Sequence, residues 1–445
     1  MIETIAAIAT PPGKGGVGII RISGPAVPAV AKALAGILPS PRYALFSDFK
    51  DKHGHVIDQG IVLYFKAPHS FTGEEVLELQ GHGGPVVLDQ LLKCVLETEG
   101  VRLAQPGEFS QQAFLNNKMD LAQAEAVADL INATSEQAAR SAMRSLEGEF
   151  SKKINWLLEK LIKLRVYIEA AIDFPEEEID FIENSTVKND LEQLIAHTES
   201  IFKVAQQGAL LSEGMTIVIA GKPNSGKSSL LNALSGRDSA IVTEIPGTTR
   251  DILREQIVLE GLPLHVIDTA GLHETHDIVE QEGIRRAKNQ LKTADLIVWM
   301  HDARENNLTI PEDILALHLP VLVVWNKIDL TGESPIIIKQ NELDIIKISV
   351  QKTEGLNLLI HYLKQRVGFE YSQDNTFIAR RRHLTALERA LAVMKKGLQQ
   401  LHSHRAHELL AEDLTQAQRY LSEITGAFSS DNLLGEIFSS FCIGK

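Results

Sequence analysis

The chain has 445 residues and a formal net charge of −14 at pH 7, a length that predicts roughly two to four domains and a balance that excludes a broad electrostatic surface for nucleic acid while leaving room for a local basic patch. Its two cysteines, Cys94 and Cys442, are far apart and offer no disulfide framework, which points to a reducing compartment. The N-terminus has no charged start followed by an apolar run, and no span of about 18 apolar residues occurs, so a cytoplasmic protein with no membrane segment is expected.

Residues 4–9 and 17–23 are rich in strand formers, and the turn-forming run Pro11-Pro12-Gly13-Lys14-Gly15-Gly16 separates them. Residues 26–38 and 85–96 are patterned as helices, and 61–65 and 76–79 as further strands, so an α+β domain is predicted over 1–118. The glycine-rich run at 13–18 imitates a phosphate loop, but Ile19 and Ile20 stand where Lys and Ser or Thr are required, and it is read as a turn between strands. Phe71-Thr72-Gly73-Glu74-Glu75 and His82-Gly83-Gly84 are read as turns as well.

Residues 119–213 are rich in Ala, Leu, Glu and Lys. Ile154, Leu157, Leu161, Leu164 and Ile168 recur there at helical spacing, as a core-facing stripe does. Pro175 breaks the run, and Glu176-Glu177-Glu178 reads as a solvated loop or helix start rather than a metal site.

An apolar run at 216–220 leads into Gly221-Lys222-Pro223-Asn224-Ser225-Gly226-Lys227-Ser228, and an apolar-periodic segment follows at 229–234. Strand, glycine-rich loop and helix are the context of a phosphate-binding loop. Backbone N–H groups and the helix N-terminus meet phosphate oxygens, Lys227 reaches the terminal phosphates, and the Ser228 hydroxyl ligates Mg²⁺. Gly247-Thr248-Thr249-Arg250-Asp251 supplies a threonine for Mg²⁺, and Asn224 with nearby carbonyls and hydroxyls offers a place for a monovalent cation that would offset transition-state charge.

The run 263–268 ends in Asp268-Thr269-Ala270-Gly271, where Asp268 can hold Mg²⁺ through water and the Gly271 N–H can meet a γ-phosphate. Leu272 stands where many GTPases have a water-orienting Gln. An apolar side chain cannot orient water, and Glu280 is the candidate in its place. The runs 296–300 and 321–325 read as buried strands, and the second leads into Asn326-Lys327-Ile328-Asp329. A carboxylate there accepts two hydrogen bonds from guanine N1–H and its exocyclic amine, which adenine does not offer. Residues 345–348 run into Ser349-Val350-Gln351, placed to meet the base from the other side. Four motifs in this order predict a doubly wound, mostly parallel sheet over 214–369 with GTP at its carboxyl edge.

Residues 370–445 return to helical patterning, with a seam at Leu384, Leu387, Leu391, Met394, Leu398 and Leu401, continued by Leu410, Leu414, Ala417, Leu421 and Ile424. The simplest arrangement is one helical domain built from 119–213 and 370–445, with the nucleotide domain inserted between them. Arg380-Arg381-Arg382 is read as a solvated charge run ahead of a phosphate patch, and His402, His404 and His407 lack the partners of a metal site. Cys442-Ile443-Gly444-Lys445 fits a prenylation box poorly, leaving two readings open: an unmodified thiol near a frayed terminus, or a reactive one.

With these residues the chain resembles the MnmE (TrmE) family of tRNA modification GTPases along its whole length. The likeness rests on Ala9-Thr10-Pro11-Pro12-Gly13, Gly18-Ile19-Ile20-Arg21-Ile22-Ser23-Gly24, Phe71-Thr72-Gly73-Glu74, Gly81-His82-Gly83-Gly84, Asn117-Lys118-Met119-Asp120-Leu121, Gly247-Thr248-Thr249-Arg250-Asp251 and Cys442-Ile443-Gly444-Lys445. The order of motifs in the central domain is shared with ribosome-assembly GTPases, the two ends are not, and a GTP-switched ribosome-assembly factor is the alternative reading. No basic segment like an RNA-binding domain favours it.

The resemblance implies a K⁺-stimulated GTPase. Asn224, Thr243, Ile245 and Thr248 match K⁺ ligands, Ser228 and Thr249 match Mg²⁺ ligands, and Glu280 matches the acidic residue that orients the attacking water, with Lys227 and Thr249 also at the reacting phosphate. It places GTP against Asn224-Ser225-Gly226-Lys227-Ser228-Ser229, Thr243-Glu244-Ile245-Pro246-Gly247-Thr248-Thr249, Asp268-Thr269-Ala270-Gly271, Asn326, Lys327, Asp329, Ser349 and Val350, with Ser225 and Pro246 as loop variations. It further implies a homodimer whose N-terminal domain binds 5-formyl- or 5,10-methylene-tetrahydrofolate. Arg21, Glu78 and Lys118 match folate positions, and Lys445 lies in the tail that approaches the folate. Such proteins work with an FAD-containing MnmG-type partner, as a heterotetramer, to add an aminomethyl or carboxymethylaminomethyl group at C5 of the wobble uridine of certain tRNAs. Cys442 matches the family's terminal cysteine.

Overall fold

The computed structural model describes residues 3–173, 185–236, 254–268, 294–305, 307–340, 343–369, 377–401, 406–427, 431–439 and 441–444. It divides into two compact units, one from 1–128, 145–192 and 392–445 and the other from 129–144 and 193–391.

The first unit opens with β1 (Thr4–Ile8), β2 (Gly15–Ser23), α1 (Val27–Ala35), β3 (Leu45–Lys50), β4 (Val56–Phe65), β5 (Val76–Gly83), α2 (Pro85–Leu96) and β6 (Val101–Leu103). The strands lie in the order β3-β4-β5-β2-β1-β6, antiparallel except for β1 with β6. Strand alternation sorts the side chains. Ile20, Ile22, Phe49, Val62, Leu77 and Leu79 pack against Val30 and Leu34 of α1 and Leu88, Leu91 and Val95 of α2. Ile5 and Ala7 belong to a separate cluster with Ala104, Phe109 and Phe71. Arg21, between Ile20 and Ile22 in sequence, faces this second cluster.

Residues 71–75 form a loop as expected, while two of the turn readings are corrected. Gly81-His82-Gly83 continues β5, and Gly15-Gly16 opens β2, with Gly18 opposite Gly81 and Gly15 opposite Gly83. Close approach is the reason. A Cβ on Gly83 would lie 2.7 Å from the Gly15 carbonyl oxygen, and the Asp58 carboxylate crosses over Gly81 to accept the His82 N–H at 2.7 Å. The short strands β3 and β6 add to the elements expected from sequence.

Helices follow: α3 (Glu108–Leu115), α4 (Leu121–Ile131), α5 (Glu136–Leu146), α6 (Glu149–Asp173) and α7 (Ser185–Glu213). The stripe from Ile154 to Ile168 is buried, as its spacing predicts.

The second unit holds β7 (Met215–Gly221), α8 (Lys227–Ser235), β8 (Arg254–Leu259), β9 (Leu262–Asp268), β10 (Leu296–Asp302), α9 (Glu312–Leu315), β11 (Val321–Asn326), β12 (Ile336–Gln340), β13 (Leu343–Lys347) and α10 (Leu356–Arg366). Their order is β12-β13-β11-β10-β7-β9-β8, five parallel strands with an antiparallel strand at each edge. Parallel strands are covered on both faces, so they read as unbroken apolar runs. Ile217, Ile219, Val298, Met300, Leu322 and Val324 enter one core with α8 and α10, while their neighbours Val218, Ala220, Ile297, Trp299 and Val323 enter the other. The strand order reverses between β7 and β10, the point at which open α/β sheets hold ligands outside the carboxyl ends of their strands.

The chain closes with α11 (Arg381–Gln400), α12 (Ala406–Thr425) and α13 (Asp431–Ser439). Leu410, Leu414, Ala417, Leu421 and Ile424 of α12 are buried, and α12 packs on α6. Two C-terminal readings are corrected. Arg380 is not a solvated charge, because it pairs with the Asp129 carboxylate at 2.8 Å. The tail is not frayed through Gly444: Phe441 is buried, the Gly107 N–H donates to the Cys442 carbonyl at 3.3 Å, and Arg21 Nη1 donates to the Gly444 carbonyl at 3.3 Å. The Glu176-Glu177-Glu178 triplet, His402 and His404 lie outside the described residues.

Candidate functional site

β7 delivers the chain into the phosphate loop, and α8 starts at Lys227. Gly226 caps α8 with a φ of +102°, and a Cβ there would take the place of the Asn326 side-chain amide. The first N–H groups of α8 have no partner within the helix and carry its positive dipole end. Lys227 Nζ lies back over the loop, donating to the carbonyls of Gly221 at 2.9 Å and Lys222 at 3.1 Å. Ser225 Oγ is buried in the same loop and makes no hydrogen bond. Ser228 and Ser229 are exposed on the first turn of α8. A cation, an orphan hydroxyl and free N–H groups around one turn suit a phosphate chain.

The loop after β11 grips this one. The Asn326 side chain, 3% exposed, donates from Nδ2 to the Ser225 carbonyl at 2.9 Å, and its Oδ1 accepts the Val350 N–H at 3.0 Å. Lys327 Nζ donates to the Asn224 carbonyl at 2.7 Å and to the Asp302 carboxylate at 2.8 Å. Ser349, fully buried, donates from Oγ to Asp329 Oδ1 at 2.6 Å. Asn224, Ser225, Asn326, Lys327, Asp329, Ser349 and Val350 are thus joined. Of Asp268, the backbone at the end of β9 is described. Thr243-Glu244-Ile245-Pro246-Gly247-Thr248-Thr249, Thr269-Ala270-Gly271, Glu280 and Lys445 lie outside the described residues.

Sequence reasoning missed Asp302 and Arg304. The Arg304 guanidinium, and after it Lys327, hold the Asp302 carboxyl far below the usual carboxylate range against the opposing effect of its burial. An acid closing an apolar strand run, as Asp268 does, was the available signal.

In the first unit, Arg21 and Glu78 stand opposite one another on β2 and β5 and form an ion pair at 2.9 Å. The guanidinium also lies 5.6 Å from the centre of the Phe71 ring and 5.9 Å from that of Phe109. Lys118 does not join the pair; its Nζ donates to the Pro68 carbonyl at 2.9 Å. The 71–75 loop links them, since Gly73 lies against the Lys118 stem and Asn116 Nδ2 donates to the Thr72 carbonyl at 2.8 Å. Ser23, Thr72 and Glu74 share hydrogen bonds of 2.7 and 3.0 Å that fix this loop to β2. The Cys442 thiol is exposed. Among the described residues, no cluster of three or more His, Cys, Asp or Glu side chains could hold a metal, and no helix is long and apolar enough to cross a membrane.

The doubly wound sheet, the phosphate loop and the loop that clasps it define a P-loop GTPase. The family model described as the MnmE helical domain matches residues 121–442, and that of the GTP-binding protein TrmE N-terminus matches residues 4–118. The tRNA modification GTPase MnmE of Actinobacillus succinogenes is 55% identical over 452 residues, covering 100% of both chains. Its counterparts in Pasteurella multocida and Coxiella burnetii are 56% and 58% identical, each over 100% of this chain and covering 100% and 99% of theirs. The chain belongs to the MnmE family.

The 71–75 loop ends on a titratable anchor. Tyr64 Oη donates to the Glu75 carboxylate, and burial, then Glu75, pushes the phenol up to about 12. A raised pKa means stability that is complete below the unfolded value of about 10 and lost as pH rises through about 12. Tyr64→Phe is expected to cost about 1–2 kcal/mol in urea unfolding at pH 8, a difference that holds to about pH 10 and then fades. A difference independent of pH would place the proton elsewhere.

Proposed function

We propose that this chain hydrolyses GTP in the course of tRNA modification. The carrying observation is the clasp of Asn326 on the Ser225 carbonyl beside a Ser349-held Asp329, which supports the reading that the loop after β11 meets the base while the loop after β7 meets the phosphates. Asp329 reads guanine N1–H and the exocyclic amine, and Lys227 leaves its loop carbonyls for the terminal phosphates. Ser228 and Thr249 would hold Mg²⁺, and Asn224, Thr243, Ile245 and Thr248 would hold K⁺. Both ions supply positive charge where negative charge gathers during hydrolysis. The exposed Ser228 on the first turn of α8 and the exposed side chain of Asn224, whose carbonyl is tied down, suit these roles. Glu280 orients the attacking water, because Leu272 cannot.

The N-terminal domain, 1–118, then serves as a tetrahydrofolate domain, with Arg21, Glu78 and Lys118 around a 5-formyl or 5,10-methylene form and Lys445 and Cys442 in the tail that approaches it. The aromatic-backed Arg21 beside Glu78 suits a ligand that carries both donors and acceptors on a flat ring. The order of domains is 1–118, then a helical domain from 119–213 and 370–445 around the GTPase domain at 214–369. The working form is a cytoplasmic homodimer joined to an FAD-containing MnmG-type partner in a heterotetramer. The product is a (carboxymethyl)aminomethyl group at C5 of the tRNA wobble uridine. The full-length match to named relatives supports this over a ribosome-assembly role.

GTP turnover is expected to be much faster in K⁺ than in Na⁺ at equal ionic strength; equal rates would remove the cation site. Mass spectrometry of wobble nucleosides tests the rest. Cells lacking the protein, and cells carrying only Arg21→Ala, are expected to lose the modified uridine, the latter with GTP turnover intact. Normal modification in the deletion would sink the proposal, and normal modification with Arg21→Ala would sink its folate part.

A further inference from the structure

The turn that follows β10 is cross-linked at every residue. The Glu305 N–H donates to the Asp302 carbonyl at 2.9 Å, the Ala303 N–H to the Asn326 carbonyl at 2.9 Å, and the His301 ring meets the Glu305 carbonyl at 2.9 Å. Two acidic side chains leave this turn towards the phosphate-loop side. Glu305 pairs with Lys222 at 2.6 Å, and Asp302 pairs with Lys327 at 2.8 Å, whose ammonium also holds the Asn224 carbonyl. Arg304 lies across the outer side of the same carboxylate, with Nη2 at 2.7 Å and Nε at 3.0 Å. The Asp302 side chain is 12% exposed, against 57% for Arg304.

The sheet does not need this carboxylate, since backbone pairing fixes β10 between β7 and β11. What it does fix is a lysine. A four-carbon ammonium stem is flexible and keeps one geometry only when its donors are held. With Asp302 and the Asn224 carbonyl as partners, Lys327 ties the base-reading loop to the phosphate loop.

We propose that Asp302 is a positioning residue for the bound nucleotide: it pins Lys327 against the Asn224 carbonyl, keeps the two loops joined, and so sets how long the nucleotide stays. Arg304 braces Asp302 from the solvent side. The inference rests on the guanine-nucleotide reading of this site.

The test is a double-mutant cycle on the full-length protein, read as the dissociation rate of N-methylanthraniloyl-GDP. Asp302→Ala is expected to speed release about tenfold, the effect of losing one hydrogen bond to a charged group. The variant carrying both Asp302→Ala and Lys327→Ala is expected to release no faster than Lys327→Ala alone. A purely structural role would instead add the two effects. Asp302→Asn keeps the shape and loses the charge; its smaller acceleration should vanish in the Lys327→Ala background too, and it carries the cycle if Asp302→Ala does not fold. Unchanged release, or additive effects, overturns the proposal. A wild-type protein that binds no N-methylanthraniloyl-GDP refutes the guanine reading itself.

Discussion

One buried carboxamide holds the nucleotide domain's working edge together. Asn326 satisfies a carbonyl of the phosphate loop with its amide and an N–H of the last loop with its oxygen, so three loops from three strands share one side chain. At 3% exposure, water does not replace either bond, and each buried group left unpaired costs about 1–3 kcal/mol. The sheet brings the strand ends near one another, and Asn326 turns nearness into fixed geometry. Gly226 is glycine partly for this reason, since a side chain there would displace the amide.

The same economy of partners appears in the first unit. Arg21 and Glu78 face each other across β2 and β5, and the guanidinium lies close to Phe71 and Phe109. The 71–75 loop is tied to the sheet by Ser23, Thr72 and Glu74 and ends at Tyr64. The C-terminal residues reach this face through Gly444, whose carbonyl accepts from Arg21. The Arg21–Glu78 pair, and the Gly444 carbonyl that Arg21 also meets, are the observations behind the proposed folate site.

Much of this was legible in the sequence. The central strands announced themselves because parallel strands are apolar on both faces, and α2 and the buried stripe of α6 followed from helical spacing. The glycine-rich part of β5 was not legible. Gly83 looks like a turn residue until the strand partner that needs its empty space, Gly15, is seen in register. Arg380 looked solvated because its partner Asp129 is 251 positions away in sequence. Asp302 escaped for a similar reason: an acid at a strand end is common, and only the fold shows Lys327 and Arg304 converging on it.

The most direct measurement of the central claim is calorimetric titration of the purified full-length protein with GDP and with ADP under the same Mg²⁺ and salt. The account predicts tight binding of GDP and no measurable binding of ADP, because adenine leaves the half-buried Asp329 without the two donors that guanine offers. Comparable affinity for ADP would contradict it.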